Sequence, residues 1–271
     1  MAEQDNGSDR DAMVEAAARA NALDLYLTAR LAPRAARRDL MALAAFVGET
    51  ARVLATARES LVGEIRLQWW RDALDPSRLG GEATGSPIAD ALRATIARHA
   101  LPAEPFAVLL DARLRALDAE FCVAGTGLDQ YFDDTDAAAF RLAARILGVP
   151  ADDAAAKLLG AAGQAYGRIQ LLRALPFVHA ARSHLLHAPL INDWAALAPI
   201  LCEDARGWLR AARLQLRAAG AAIPAVLPLA LVEPYLAALE RLGPEVVRER
   251  ADISPLTRVW RLWLASVRGK I

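Results

Sequence analysis

The sequence predicts an all-α fold, and three observations lead there. The chain is 55% hydrophobic but only 6% aromatic, with alanine, leucine and arginine dominant. Long helices bury Ala and Leu readily, whereas strands favour β-branched and aromatic residues. Apolar residues recur at helical spacing, with Ile65 four residues before Trp69 and Trp70 four before Leu74, and no strand-like alternation or fixed-period repeat interrupts them. Helical segment follows helical segment with short connections, the clearest break being a Gly/Pro/Ser-rich stretch after Asp75. At 271 residues the chain can bury one large core or two modest ones. Short connections between helices favour one domain, 11–271, after a polar segment, 1–10, that reads as disordered.

The elements follow in order. Ala12 to Leu31 is helical in pattern. Pro33 then opens a helix from Ala35 to about Arg58, as proline does in a first turn. "SLVGEIRLQWWRDALD" is a third helix, stopping before Pro76, and "PSRLGGEATGSP" is a Gly/Pro/Ser loop. A helix spans Ile88 to His99; after Pro102 and Pro105 another runs to about Val123. "AGTGLDQYFDDTD" reads as a turn. "AAAFRLAARILG" is a helix ended by Gly148 and Pro150. "ADDAAAKLLGAAGQAYGRIQLLRAL" is a long helix that Pro176 is expected to end or kink. "HLLHAPLIND" is irregular, and helices close the chain at about Ala198 to Ala219, Pro228 to Leu242 and Pro255 to Val267.

Composition and motifs exclude several functions. Lys plus Arg equals Asp plus Glu, 32 each, so no overall basic field gathers nucleic acid. Cys122 and Cys202 lack metal-ligand spacing and suit a reducing compartment. The start is neither a signal nor a transit peptide, and no apolar run approaches a membrane span. These features place the chain in the cytoplasm or peripherally on the inner face of a membrane. There is no P-loop, convincing dinucleotide loop or nucleophile elbow.

Three local clusters have two readings each. His179, His184 and His187 stand close together, without acidic or Cys partners at ligand spacing, and read as exposed or capping histidines rather than a metal site. In "DQYFDDTD", Asp129 and Asp133 would share a helix face and could bridge Mg²⁺ to a diphosphate. The favoured reading is that Asp133, Asp134 and Asp136 cap and charge a helix N-terminus. In "PLTRVWRLWLASVRGK" the stripe Leu256, Val259, Trp260, Trp263, Leu264 and Val267 reads first as a buried face. The alternative is a membrane-surface helix with Trp at the interface.

Longer stretches resemble a known family. "LMALAAFVGETARVLATARESLVGEIRLQWWRDALD" is similar to the first conserved block of the squalene/phytoene synthase family, and "GAAGQAYGRIQLLRALPFVHAAR" to the second. "LDQYFDDTDAAAFRLAARILG" resembles the segment between them. The resemblance runs from about Leu23 to the C-terminus and implies an isoprenoid-synthase-type helical bundle around a central cavity. Enzymes of this family join two prenyl diphosphates head to head, using an Asp-x-x-x-Asp pair on each of two facing helices to hold Mg²⁺.

Set against those blocks, this sequence departs at both. The arginine of the first becomes Gly48, and its aspartates become Ala51, Arg52 and Ala55. In the second the asparagine becomes Gln170, Arg173 is retained, and the aspartates become Ala174 and Val178. Alanine cannot bind a metal. The pattern is closest to a metal-motif-poor branch that includes the mitochondrial complex I assembly factor of phytoene-synthase type and its bacterial relatives.

The resemblance therefore implies a non-catalytic lipid- or prenyl-binding protein, or a respiratory complex I assembly-type factor. Its cavity would have Gly48, Ala51 and Ala55 on one wall and Gly163, Gly167, Gln170 and Ala174 on the other, unless these small residues serve only close helix packing. Arg52, Tyr166, Gln170 and Arg173 are the candidate ligand-binding residues, the arginines being good oxyanion partners. No catalytic residue, resident metal or cofactor is expected. The implied partners are a prenyl or other lipid chain, a respiratory-complex protein and a membrane surface met by the C-terminal helix. The competing readings are an active prenyltransferase with an atypical site and Mg²⁺, recruiting Asp129 and Asp133, and a structural helical interaction protein.

Overall fold

The computed structural model describes residues 2–56, 60–117, 126–180, 194–217 and 219–271. Among these there is no strand. The helices are α1 (Ala2–Asn21), α2 (Leu23–Leu31), α3 (Arg37–Thr56), α4 (Ser60–Ala73), α5 (Pro87–His99), α6 (Glu104–Arg115), α7 (Thr126–Phe132), α8 (Ala138–Ile146), α9 (Asp153–Ala180), α10 (Trp194–Gln215), α11 (Val232–Leu242) and α12 (Pro255–Arg268). Helix α9 is central: it packs against α10, α11, α8, α7 and α3. Helix α3 joins α1, α2, α5 and α4 to it.

Sequence signals for caps and stops work locally. Ser86 accepts a hydrogen bond from the Ala89 N–H at the start of α5, with Pro87 in its first turn. Gly148, at φ +70°, ends α8 in the left-handed conformation that suits glycine. Of the two stripes on α4, Leu67, Trp70 and Leu74 are buried, and Trp70 meets Phe46 edge to face at 5.0 Å. Leu61, Val62, Ile65 and Trp69 are exposed.

Several expectations are corrected. Residues 2–10, read as disordered, form the first turns of α1; they include good helix formers, and the helix is tied down at Asp11 by Arg38. The single helix Ala12 to Leu31 is two helices, broken at Ala22 (φ −143°, ψ 55°). The segment read as a turn is helix α7 followed by a π-turn, Asp133–Ala137, leading directly into α8. Pro176 lies inside α9, within its last turn and a half, so the helix continues past it for one further turn without the N–H that would bond the Leu172 carbonyl. The end expected near Val123 for α6, the irregular segment, His184 and His187 fall outside the described residues, as does the His179 side chain.

Glycine explains how the elements approach so closely. A Cβ on Gly48 of α3 would come within 2.8 Å of Asn21 Cβ and 3.0 Å of Ala22 Cβ, so the α1–α2 break rests on bare α3 backbone. A Cβ on Gly163 of α9 would overlap the backbone of Ala137, which seats the π-turn against α9.

Candidate functional site: a cavity between facing helices

A cavity of about 150 Å³ opens between α3 and α9. Gly48 and Ala51 line it from α3; Tyr166, Gly167, Gln170 and Ala174 line it from α9. Leu25, Val47, Leu54, Phe132, Phe140 and Leu171 make most of the remaining wall apolar. The cavity reading and the close-packing reading of the small residues therefore divide. Gly163 serves packing alone, Ala51 and Ala174 line open space, and Gly48 and Gly167 do both.

One end of the cavity is polar. Buried Arg113 of α6 donates to Tyr131 Oη and lies near Asp136, while its Nε has no partner. Burial pushes the Asp136 carboxyl and the Tyr131 hydroxyl upward, and the Arg113 guanidinium opposes both shifts. These two charges are the cavity-lining ones, and they offset each other.

Behind the α9 wall lies a larger buried network centred on Asp24 of α2, which is only 5% exposed. Tyr235 Oη donates to its carboxylate at 2.9 Å, Tyr166 Oη at 3.2 Å and Gln170 Nε2 at 3.4 Å. Arg258 Nε of α12 stands 3.1 Å away and Arg173 of α9 3.6 Å away. Arg173 also donates to the Ala251 carbonyl at 3.0 Å and stacks 3.8 Å over the Tyr235 ring. Asp252 accepts from both arginines at the rim. Burial and the Asp24 charge push both tyrosines upward, keeping them protonated donors.

The structure redistributes the residues singled out in the sequence. Tyr166 and Gln170 reach both the cavity and Asp24. Arg173 is buried in the network and does not line the cavity. Arg52 is exposed and outside the cavity lining. The side chains of Ala55 and Val178 are outside the described residues. Asp133, Asp134 and Asp136 do not cap a helix: the first two pair with Arg141 and Arg115, and Asp136 lies near Arg113, while Asp129 pairs with Arg168. The chain is already helical on their N-terminal side, so there are no free amides to cap. Asp129 and Asp133 thus face arginines, not the cavity.

The cavity donor set does not suit Mg²⁺. One carboxylate beside a guanidinium is a poor hard-cation site. Among the described residues no group of three or more His, Cys, Asp or Glu is gathered to hold a metal ion.

Sequence reasoning missed Asp24, Arg113, Tyr235 and Arg258 as site residues, and gave Asp136 a capping role in place of a cavity one. The available signal was Asp24 as a lone acid in the apolar run "ALDLYL". The C-terminal helix is also inverted relative to expectation. Arg258, Leu262 and Ala265 face inward, while Leu256 (78% exposed), Trp260 (54%), Trp263 (44%) and Val267 (64%) face solvent. The inner face holds an arginine because Asp24 and Asp252 lie beneath it.

Comparison with known proteins agrees with this architecture. A crystal structure of a dehydrosqualene synthase in complex with ligand superposes with a TM-score of 0.73 at 14% identity, covering 97% of this chain and 98% of that one. The squalene synthase HpnC from Alicyclobacillus acidocaldarius gives 0.68 at 20% identity, covering 88% and 95%. In sequence, the chain is 31% identical over 160 residues to NADH dehydrogenase (ubiquinone) complex I, assembly factor 6 from Rattus norvegicus, covering 58% of this chain and 46% of the relative. It is 29% identical over 155 residues to the same factor from Bos taurus, covering 56% and 45%. The match thus spans a little under half the length of these relatives. The family model for squalene/phytoene synthase matches residues 18–188, more than half of the sequence, and the chain belongs to that family.

Proposed function

We propose that this chain is a non-catalytic member of its family that holds a prenyl or other lipid chain and serves as an assembly-type factor for a respiratory-complex protein. One observation carries the reading. The cavity is present, yet the positions on its two walls that stand against the family's carboxylates are Ala51 and Ala174. The apolar wall suits a hydrocarbon chain, and metal-assisted ionisation of a diphosphate lacks its ligands. The relatives named as complex I assembly factors support the second half.

Two outer faces suit such work. The α4 stripe of Leu61, Val62, Ile65 and Trp69 is a contiguous exposed apolar surface of the kind that protein partners cover. The outer face of α12 suits the membrane surface, with Trp260 and Trp263 5.2 Å apart and Arg261, Arg268 and Lys270 nearby in a stretch with no acidic residue after Asp252. No helix among the described residues is long and apolar enough to cross a membrane.

The decisive assay incubates the pure protein with Mg²⁺ and radiolabelled farnesyl or geranylgeranyl diphosphate. No head-to-head product is expected; any product above blank overturns the non-catalytic reading. Deleting the gene is expected to lower complex I content, and normal content would remove the assembly role.

A further inference from the structure

The Asp24 network has more donors than its carboxylate needs. Tyr166, Gln170, Arg173, Tyr235 and Arg258 converge on it from α9, α11 and α12. A carboxylate offers about four lone-pair sites, whereas a single guanidinium brings five N–H groups. Two buried guanidiniums set in a fixed arrangement form the kind of cage that recognises phosphate or diphosphate oxygens. Here the cage is closed from within, because α2 inserts a buried carboxylate. It also adjoins the cavity: Tyr166 and Gln170 line the cavity and touch Asp24.

We propose that Asp24 is a built-in anion that closes an oxyanion cage, so that the cavity admits an uncharged isoprenoid or similar neutral lipid and excludes the corresponding diphosphate. The choice of lipid class rests on the lipid-binding reading above; the closed cage does not. A diphosphate entering beside Gln170 would meet the Asp24 carboxylate and arginines already engaged by Asp24 and Asp252. Elsewhere on the cavity wall Arg113 is offset by Asp136. A multiply charged head would therefore lose its water while Arg173, Arg258 and Arg113 are already shared with carboxylates, and Arg250, the third guanidinium near the network, stacks on Phe177. A hydroxyl or carbonyl head has little hydration to lose, and the polar side chains of Tyr131 and Gln170 stand on the cavity wall to meet it.

Two titrations test this. In the first, inorganic pyrophosphate is titrated by calorimetry into the wild-type chain, Asp24→Ser and Asp24→Asn. The wild type should show no saturable binding. Asp24→Ser should gain it, tightening affinity at least tenfold, and pyrophosphate should raise the variant's unfolding temperature. Asp24→Asn keeps the side-chain shape and covers the case in which the serine variant does not fold. Saturable binding to wild type that disappears in Arg173→Met would overturn the closed cage. So would folded Asp24 variants that ignore pyrophosphate. In the second, wild type should bind farnesol at least tenfold more tightly than farnesyl diphosphate, with the order reversed in Asp24→Ser. Tighter binding of the diphosphate by wild type defeats the inference and leaves the lipid cavity standing. If neither ligand binds, the lipid cavity and the neutral-lipid choice fall together, while the pyrophosphate titration still decides the cage.

Discussion

The two walls of the cavity are built on opposite principles. The α3 wall is defined by side chains that are missing: Gly48 lets the α1–α2 break rest on its backbone, and Ala51 leaves open space. The α9 wall is defined by side chains that are held: Tyr166 and Gln170 are tied to Asp24, as is Arg173 behind them. One wall tolerates nothing larger at Gly48, and the other tolerates no unpaired charge. The polar residues that remain beside this cavity thus serve each other, which is a different condition from a site kept ready for an ionic substrate.

The strongest way to break the contrast is on the charged side. Arg173→Ala would leave Arg258 as the one direct ion-pair partner of Asp24 and Asp252 among those described, with Arg250 further off, and would remove the stacking on Tyr235. Breaking a buried ion pair from one side costs about 3–5 kcal/mol. Urea unfolding should show a loss of that order. A loss below about 1 kcal/mol, the range of exposed pairs, would mean the network is solvated and the α9 wall is not held by charge.

The steric side should respond less. Gly48→Ala pushes a methyl group against Asn21 and Ala22, and overpacking of this sort costs about 1–3 kcal/mol. Gly160→Ala, on α9, meets only the end of Arg141 at 3.8 Å. There the helix-propensity gain of about 0.8–1 kcal/mol should dominate, so the variant should be more stable than wild type. Opposite signs at these two glycines would separate a required gap from an incidental one. Ala51→Leu should change stability by less than about 1.5 kcal/mol, because it enters open space, while abolishing farnesol binding.

How far the sequence revealed these walls depends on how local each signal was. Helix identity and the stop at Gly148 depend on neighbours within a few residues and were legible, whereas the caps at Ser86 and Ser254, equally local, were passed over. Gly48, Ala51, Gln170 and Ala174 were placed on the cavity through the resemblance, which carries three-dimensional information that periodicity does not. The cage was not legible. Tyr166 and Tyr235 lie 142 and 211 residues from Asp24, and no local pattern encodes such a pairing. The π-turn at Asp133–Ala137 was hidden for a related reason. Its four polar residues look like a cap and a loop until Arg115 and Arg141 neutralise two of them and Gly163 gives the backbone room.

Helix α12 sharpens the contrast at its weakest point, because its two faces belong to different problems. Arg258 on the inner face is part of the charged wall, so replacing it should destabilise the fold much as Arg173→Ala does. Trp260 and Trp263 on the outer face touch neither wall, and the double change Trp260→Ser, Trp263→Ser should move the unfolding midpoint by no more than about 0.5 kcal/mol, as surface substitutions do. Its effect should appear elsewhere. Trp side chains favour the bilayer interface, and each basic residue near an anionic surface adds about 1 kcal/mol of attraction. Wild type should co-sediment with vesicles containing anionic phospholipid, less so with neutral vesicles or at high salt. The double variant should lose most of that binding while farnesol binding in the cavity is unchanged. Equal sedimentation of variant and wild type would assign the exposed tryptophans to a protein contact instead, and the membrane surface would drop out of the proposed function without disturbing either wall.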